Sequence, residues 1–205
     1  MKMDIPWPGD KDKIFTEGVN NSLQAYLEYA KYFTTDALLA EAFKKSADAI
    51  LSQIETGRIS EHPDVYFFPV NYLYRHAIEL YLKHLIQYGI QLNILEEDGK
   101  LAGMMGNHEL YPLWNKTRIV LEEVWPEGNK NDLKNVERLI QEFHEVDKSG
   151  QNFRYTKDKN GNSTTEKLPE RVDLKALRET CDGLFRFFDG CDAGLCAAID
   201  AQNEV

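Results

Sequence analysis

The 205-residue chain has little cysteine, no long apolar run and a deficit of positive charge. Its three cysteines, Cys181, Cys191 and Cys196, lie in the final segment, with no Cys-x-x-Cys pair and no histidine close by in sequence. That arrangement suits neither a zinc set nor a disulfide framework, so the expectation is small packing thiols in a reducing compartment. No apolar run approaches the roughly 18 to 20 residues that a membrane span needs, and the opening MKMDIPWPGDKDK lacks the apolar core of a secretory signal. A cytoplasmic protein without a membrane partner is therefore expected. Against 34 Asp and Glu stand only 24 Lys and Arg, a formal net charge of −10. Such a balance excludes a general coat for DNA or RNA, because that binding is largely neutralisation of phosphates by a basic surface. It leaves room for a small basic site on an acidic body. There is also no Gly-rich phosphate loop, nucleophile elbow, metalloprotease helix or paired-carboxylate signature, so the motifs call for no cofactor and no metal.

What the chain does have is helical periodicity. Residues 1–10, with Pro6, Pro8 and Gly9, read as an extended arm, and 11–205 as one helical domain. Phe15, Val19, Leu23, Tyr26 and Tyr29 recur at three- and four-residue steps. The Thr34-Thr35-Asp36 cluster can end that run and cap a second helix, whose stripe is Leu38, Ala42, Ala47, Ile50, Leu51 and Ile54. After Pro63 and Pro69, the stretch 70–88 is nearly free of breakers and apolar on more than one side, the pattern of a central bundle helix. Gly89 ends it. Residues 91–107 read as a loop, with a small hairpin at Asp98-Gly99, followed by helices over 109–124 and 131–146. Then Phe153-Arg154-Tyr155-Thr156 is strand-like and Asn160-Gly161 is a hairpin signal, giving an insertion around 151–168. Asp173 is placed to cap the last helix. The expected fold is an all-α bundle of five to seven helices with a small inserted β-hairpin.

Several polar sets stand out. Arg75, Glu79 and Lys83 are four apart, so they form one row along the central helix with the carboxylate between two cations. On a surface this row is a weak ladder; within so apolar a helix it is partly buried and must be satisfied internally or serve a ligand. His76 and His84 are two turns apart, too far to share a metal, and each reads as a hydrogen-bonding histidine. His108, between Gly106 and a helix start, can cap that helix or face the same cavity as the row. Arg138 and His144 offer a proton-transfer histidine and a charge-stabilising arginine, as metal-independent RNA cleavage requires. Their spacing leaves them about 120° apart on a regular helix, so a distorted helix or a second subunit would have to complete the pair. The segment 151–171 is locally basic, with Arg154, Lys157, Lys159, Lys167 and Arg171 against Asp158, Glu166 and Glu170.

The run Tyr74-Arg75-His76-Ala77-Ile78-Glu79-Leu80-Tyr81-Leu82-Lys83, then Asn107-His108-Glu109-Leu110, then Phe153-Arg154-Tyr155, resembles the HEPN superfamily (higher eukaryotes and prokaryotes nucleotide-binding). The similarity spans about residues 67 to 190. It implies a helical bundle, often a homodimer, in a superfamily rich in ribonucleases of toxin–antitoxin and phage-defence systems. That superfamily also includes non-catalytic members that bind nucleotides, RNA or protein partners. Catalytic members carry an arginine followed four to six residues later by a histidine, which Arg138 and His144 match, with Leu139 where a polar residue is common. Thr156 stands where a proline usually follows the Arg-Tyr pair, and Asn107-His108-Glu109-Leu110 replaces Gly-His-Asp-Leu. On this resemblance the ligand-binding set is Arg75, Glu79, Lys83, His108 and Arg154, with Tyr155 beside it. The alternative is a non-catalytic interaction module, whose polar row holds helices together and whose hairpin docks a partner or a second subunit.

Overall fold

The computed structural model describes residues 7–8, 10–11, 13–15, 24–33 and 35–204. The apolar repeats expected at Val19 and Leu23, and most of the N-terminal arm, lie outside the described residues. The chain divides into two compact units, Met1–Thr34 and Thr35–Val205. In the first, the described helix is α1 (Leu27–Phe33), which carries Glu28 in its first turn and Lys31 in its last, as the helix dipole favours.

The second unit is the helical bundle. Its helices are α2 (Asp36–Glu55), α3 (Pro63–Gln91), α4 (Gly99–Gly106), α5 (Leu110–Val124), α6 (Lys130–Val146) and α7 (Leu174–Asn203), with a 3₁₀ turn at Asn152–Arg154. The all-α expectation is borne out, and the described residues form no strand. Thr35 caps α2 by accepting from the Leu38 amide at 3.2 Å, and Asp173 caps α7 by accepting from Lys175 and Ala176 at 2.9 and 3.1 Å. Each satisfies helix-start amides that would otherwise lack partners.

Helix α3 is the axis. It packs against α2, α5 and α7, and its buried residues, including Val70, Tyr74, Ile78, Leu82 and Ile86, run around the cylinder. Pro63 sits in its first turn, where the missing N–H costs nothing, whereas Pro69 lies inside the helix, so the expected break there does not occur. Gly89 lies within α3 because α5 passes too close for a side chain: a Cβ would stand 2.3 Å from Val120 Cγ2. The main core joins Leu82, Leu85, Trp114, Ile140, Phe188 and Leu195, while Ala47, Leu51, Val70, Tyr74 and Cys181 form a second cluster.

Two local expectations need correction. The loop expected over 91–107 contains α4, and Asp98 caps that helix by accepting from Leu101 at 2.7 Å instead of opening a hairpin. The inserted hairpin shrinks to one antiparallel bridge between Lys157 and Ser163, across a turn held by Asp158. Phe153 and Arg154 belong to the 3₁₀ turn and not to a strand, with Phe153 buried against Phe67 of α3, and Tyr155 follows in extended backbone.

Candidate functional site

Spacing on α3 brings Arg75, Glu79 and Lys83 into one row, as expected, and the bundle buries its centre. Arg75 and Glu79 are each 2% exposed. Glu79 Oε2 accepts from Arg75 Nη1 at 3.1 Å, and its Oε1 accepts from Lys83 Nζ at 2.8 Å. The same Oε1 lies 2.9 Å from His108 Nδ1, at the entrance to α5. His108 therefore does not cap α5; Glu109 occupies the cap position, and it makes no side-chain capping bond. Arg75 is filled from the far side. Its Nε donates to the Asp147 carbonyl at 3.1 Å and lies 3.3 Å from Asp147 Oδ2, while Nη2 donates to the His108 carbonyl.

Asp147, at the end of α6, has no solvent exposure and is the partner that the sequence reading missed. Its Oδ1 accepts from the Gln151 and Asn152 amides at 2.8 and 3.0 Å, so it shapes the turn leading to Phe153. Gly150 closes this corner with φ +73°, and a Cβ there would lie 3.0 Å from Arg75 Nη1. The result is a charge-balanced set, buried Arg75 and partly exposed Lys83 against buried Glu79 and Asp147, tying the middle of α3 to the start of α5 and the end of α6. Burial alone would raise the Glu79 carboxyl, but the hydrogen bonds from Lys83 and His108 outweigh it and hold the group below its ordinary value. His108 opens furthest to solvent, with a side chain 58% exposed against 14% for Lys83. With Nδ1 held against Glu79, Nε2 is its outward ring nitrogen.

The other predicted residues lie elsewhere. Arg154 and Tyr155 are exposed and make no hydrogen bond or ion pair with the Arg75 row among the described residues. Arg138 and His144 diverge on α6. Arg138 is exposed, loosely paired with Glu142 at 3.9 Å, and borders a cavity between α3, α6 and α7. His144 packs beside Tyr111 of α5 with ring centroids 6.1 Å apart, and burial lowers its pKa from the ordinary value. The regular helix keeps them on separate faces.

Two further polar sets surround α3. Tyr74 donates to Asp48 at 2.6 Å, and Lys44 reaches both Asp48 and Asp182, at 2.7 and 2.5 Å. Further along, Tyr81 donates to Asp189 at 2.7 Å and His84 meets Asp192 at 2.6 Å. Their sequence signal is the Asp182, Asp189 and Asp192 series on α7, threaded between Leu184, Phe185 and Phe188. His76 makes ring contacts instead, stacked on Tyr72 and edge-on to Phe43. No group of three or more His, Cys, Asp and Glu side chains suited to a metal occurs among the described residues, and none of their helices is long and apolar enough to cross a membrane. Cys181 and Cys191 are buried free thiols, each pushed up to about 12 by burial.

Comparisons with protein-family models, with curated proteins and with solved structures give no match to this chain.

Proposed function

We propose that this chain is a HEPN-like helical protein that binds RNA or a nucleotide at the solvent edge of the Arg75–Glu79–Lys83–His108 row. The observation that supports this reading is the setting of His108: its Nδ1 is 2.9 Å from a buried carboxylate, while the rest of the ring is exposed. A carboxylate that fixes one imidazole nitrogen presents the other in a set direction, as an acceptor for a ribose hydroxyl or, when protonated, as a donor to a phosphate. Arg75 and Lys83 neutralise Glu79 and Asp147, so an arriving phosphate would meet no uncompensated negative charge in the row. A cytoplasmic setting belongs to the same reading.

The narrower form, a metal-independent endoribonuclease of toxin–antitoxin or phage-defence type, requires Arg138 and His144 to act together. Because they occupy separate faces of α6, a second copy of the chain would have to supply the missing neighbour to each, which makes that form a homodimer. The binding form is tested by fluorescence anisotropy with labelled single-stranded and structured RNA, alongside nucleotide titrations. His108→Ala should weaken binding at least about tenfold, equivalent to about 1.4 kcal/mol, while the protein stays folded with a melting temperature lowered by much less than in Glu79→Ala. Failure of RNA and nucleotides to bind, or wild-type affinity in His108→Ala, would count against it.

A second reading, the non-catalytic interaction module with a structural row, is favoured by the burial of Arg75 and Glu79 and by their purely internal partners. It expects Arg75→Ala and Glu79→Ala to lower the melting temperature markedly and His108→Ala to leave every binding measurement unaltered.

A further inference from the structure

The stretch from Thr165 to Val172, between the small turn held by Asp158 and the start of α7, is fixed at both ends and loose between them. At one end Thr164 is buried, with its amide donating to the Thr156 carbonyl at 3.2 Å and its hydroxyl to the Tyr155 carbonyl at 2.7 Å. At the other, Asp173 caps α7. The backbone bonds of the stretch are local, such as Leu168 N to the Thr165 carbonyl at 2.9 Å. Its polar tie to the bundle is Lys167 Nζ, which donates to the Glu145 carbonyl near the end of α6 at 2.9 Å. From Pro169 to Val172 neither backbone nor side chains make a hydrogen bond or ion pair among the described residues, and all four are exposed.

Three hollows border this stretch. One is the cavity of about 390 Å³ between α3, α6 and α7, whose wall includes Leu168, Pro169 and Val172. A second, of about 740 Å³, separates Leu168 and Val172 from the start of α3 at His62 and Phe68, and a third, of about 340 Å³, lies between Val172 and the end of α2 at Leu51 and Ile54. Atoms that line a void forgo the dispersion contacts that hold a close-packed interior. Leu168 and Val172 are the apolar anchors of the stretch, and both face such voids. Few buried contacts and few backbone bonds are the marks of a segment that opens locally, well below the free energy of global unfolding. The floor of the α3–α6–α7 cavity is the opposite case: Phe153, Cys181 and Leu184 are each no more than 4% exposed.

We propose that residues 165–172 are a strap that swings away between the fixed ends Thr164 and Asp173, opening the α3–α6–α7 cavity to solvent while the bundle stays folded. Lys167 is its latch: one hydrogen bond to one carbonyl, from a residue that is itself exposed. The strap controls what reaches the apolar floor and the Cys181 residue in it. No residue of the strap or the floor belongs to the Arg75–Glu79–Lys83–His108 row, so its opening is independent of RNA binding.

Two measurements on the intact chain test the strap. Limited trypsin digestion, read by mass spectrometry over a urea series below the unfolding transition, should cut after Lys167 and Arg171 at a rate nearly independent of urea, because a local opening exposes little new surface. The cut chain should keep its helical circular dichroism. Thiol labelling, with Cys196→Ser removing the exposed thiol, then compares two buried cysteines that are both pushed up to about 12. Cys181 is 1% exposed and Cys191 is 8% exposed, so static exposure puts Cys191 first. The strap reverses that order: Cys191 lies away from it, beside Trp125, and Cys181 should label at least about tenfold faster through the local opening. Lys167→Met, which removes the latch, should speed both cleavage after Arg171 and labelling of Cys181 by about threefold or more, the scale of one lost hydrogen bond, with a melting temperature within about 2 °C of wild type. Strap bonds cut only as fast as the whole chain unfolds, Cys191 labelling as fast as Cys181, or both rates unchanged in Lys167→Met would overturn the proposal.

Discussion

Two stretches of α3 about one turn apart both bury polar side chains, and they treat them in opposite ways. Between Arg75 and Lys83 every buried charge has a partner, and the partners come from α3 itself, the start of α5 and the end of α6. Around Phe67 and Asn71 the partner is local, one carbonyl four residues back, and both residues line a cavity. A network that spans three elements holds them together; a bond to a carbonyl four residues back ties α3 only to itself. The difference separates the part of the molecule that keeps α3, α5 and α6 together from the part that lines the cavity between α3, α6 and α7.

The comparison breaks most visibly at Arg75. Arg75→Ala strands Glu79 and Asp147 in the interior and should cost about 3–5 kcal/mol by urea denaturation, the range for breaking a buried ion pair. A cost near that of a surface mutation would mean that the row is not the tie described.

Next comes Gly150→Ala. The left-handed backbone and the approach to Arg75 Nη1 and His108 Cβ, at 3.0 and 3.2 Å, combine against it. A loss of about 1–3 kcal/mol is expected. Gly161→Ala has a similar φ of +85° with nothing within 4 Å, so it isolates the backbone part and should cost less. Equal losses would show that the corner at Arg75 is looser than its distances imply.

Acid sharpens the comparison further. Hydrogen bonds hold Glu79 below its ordinary 4.5, so the folded state resists that proton more than the unfolded chain does. Its contribution is complete above about 4.5 and is lost as pH falls through the folded value. Burial likewise lowers His76 and His144 below their ordinary 6.5, and folding must keep them neutral. Their contribution is present above 6.5 and declines as pH falls below it. Melting temperature followed downward in pH should thus fall in two stages, and Glu79→Gln should diminish only the more acidic one, to which Asp158 also contributes. The smallest effect belongs to Asn71→Leu, which loses a single local bond and should change stability by no more than about 1 kcal/mol. A large loss there would show that the amide is a structural group like Arg75.

Much of this architecture is legible in the chain. Thr35 and Asp173 announce helix starts because their side-chain oxygens suit the first free amides, and the structure uses both that way. The Arg75–Glu79–Lys83 row follows from helical repeat alone. What periodicity cannot supply is the partner from afar: Asp147 is 72 residues from Arg75, and nothing in its neighbours marks it beyond an ordinary polar helix end. The strand reading of Phe153-Arg154-Tyr155 failed for a related reason. Aromatic residues favour strands locally, but Asp147 gathers the Gln151 and Asn152 amides and turns the backbone so that Phe153 enters the core. Glycines at 99, 103 and 106 hid α4, whose existence rests on the Asp98 cap and the burial of Leu101. Arg138 and His144 match a spacing but not a place, since a straight α6 gives each a different neighbour.

The central claim is that Arg75 and Glu79 act as one buried unit. A double-mutant cycle of Arg75→Ala, Glu79→Ala and the combined variant, read by urea denaturation at neutral pH, measures that directly. Residues sharing a network couple by about 0.5–3 kcal/mol, and the account predicts a coupling in the upper half of that range, the double variant being less damaged than the sum of the singles. Additivity within about 0.3–0.5 kcal/mol would contradict it.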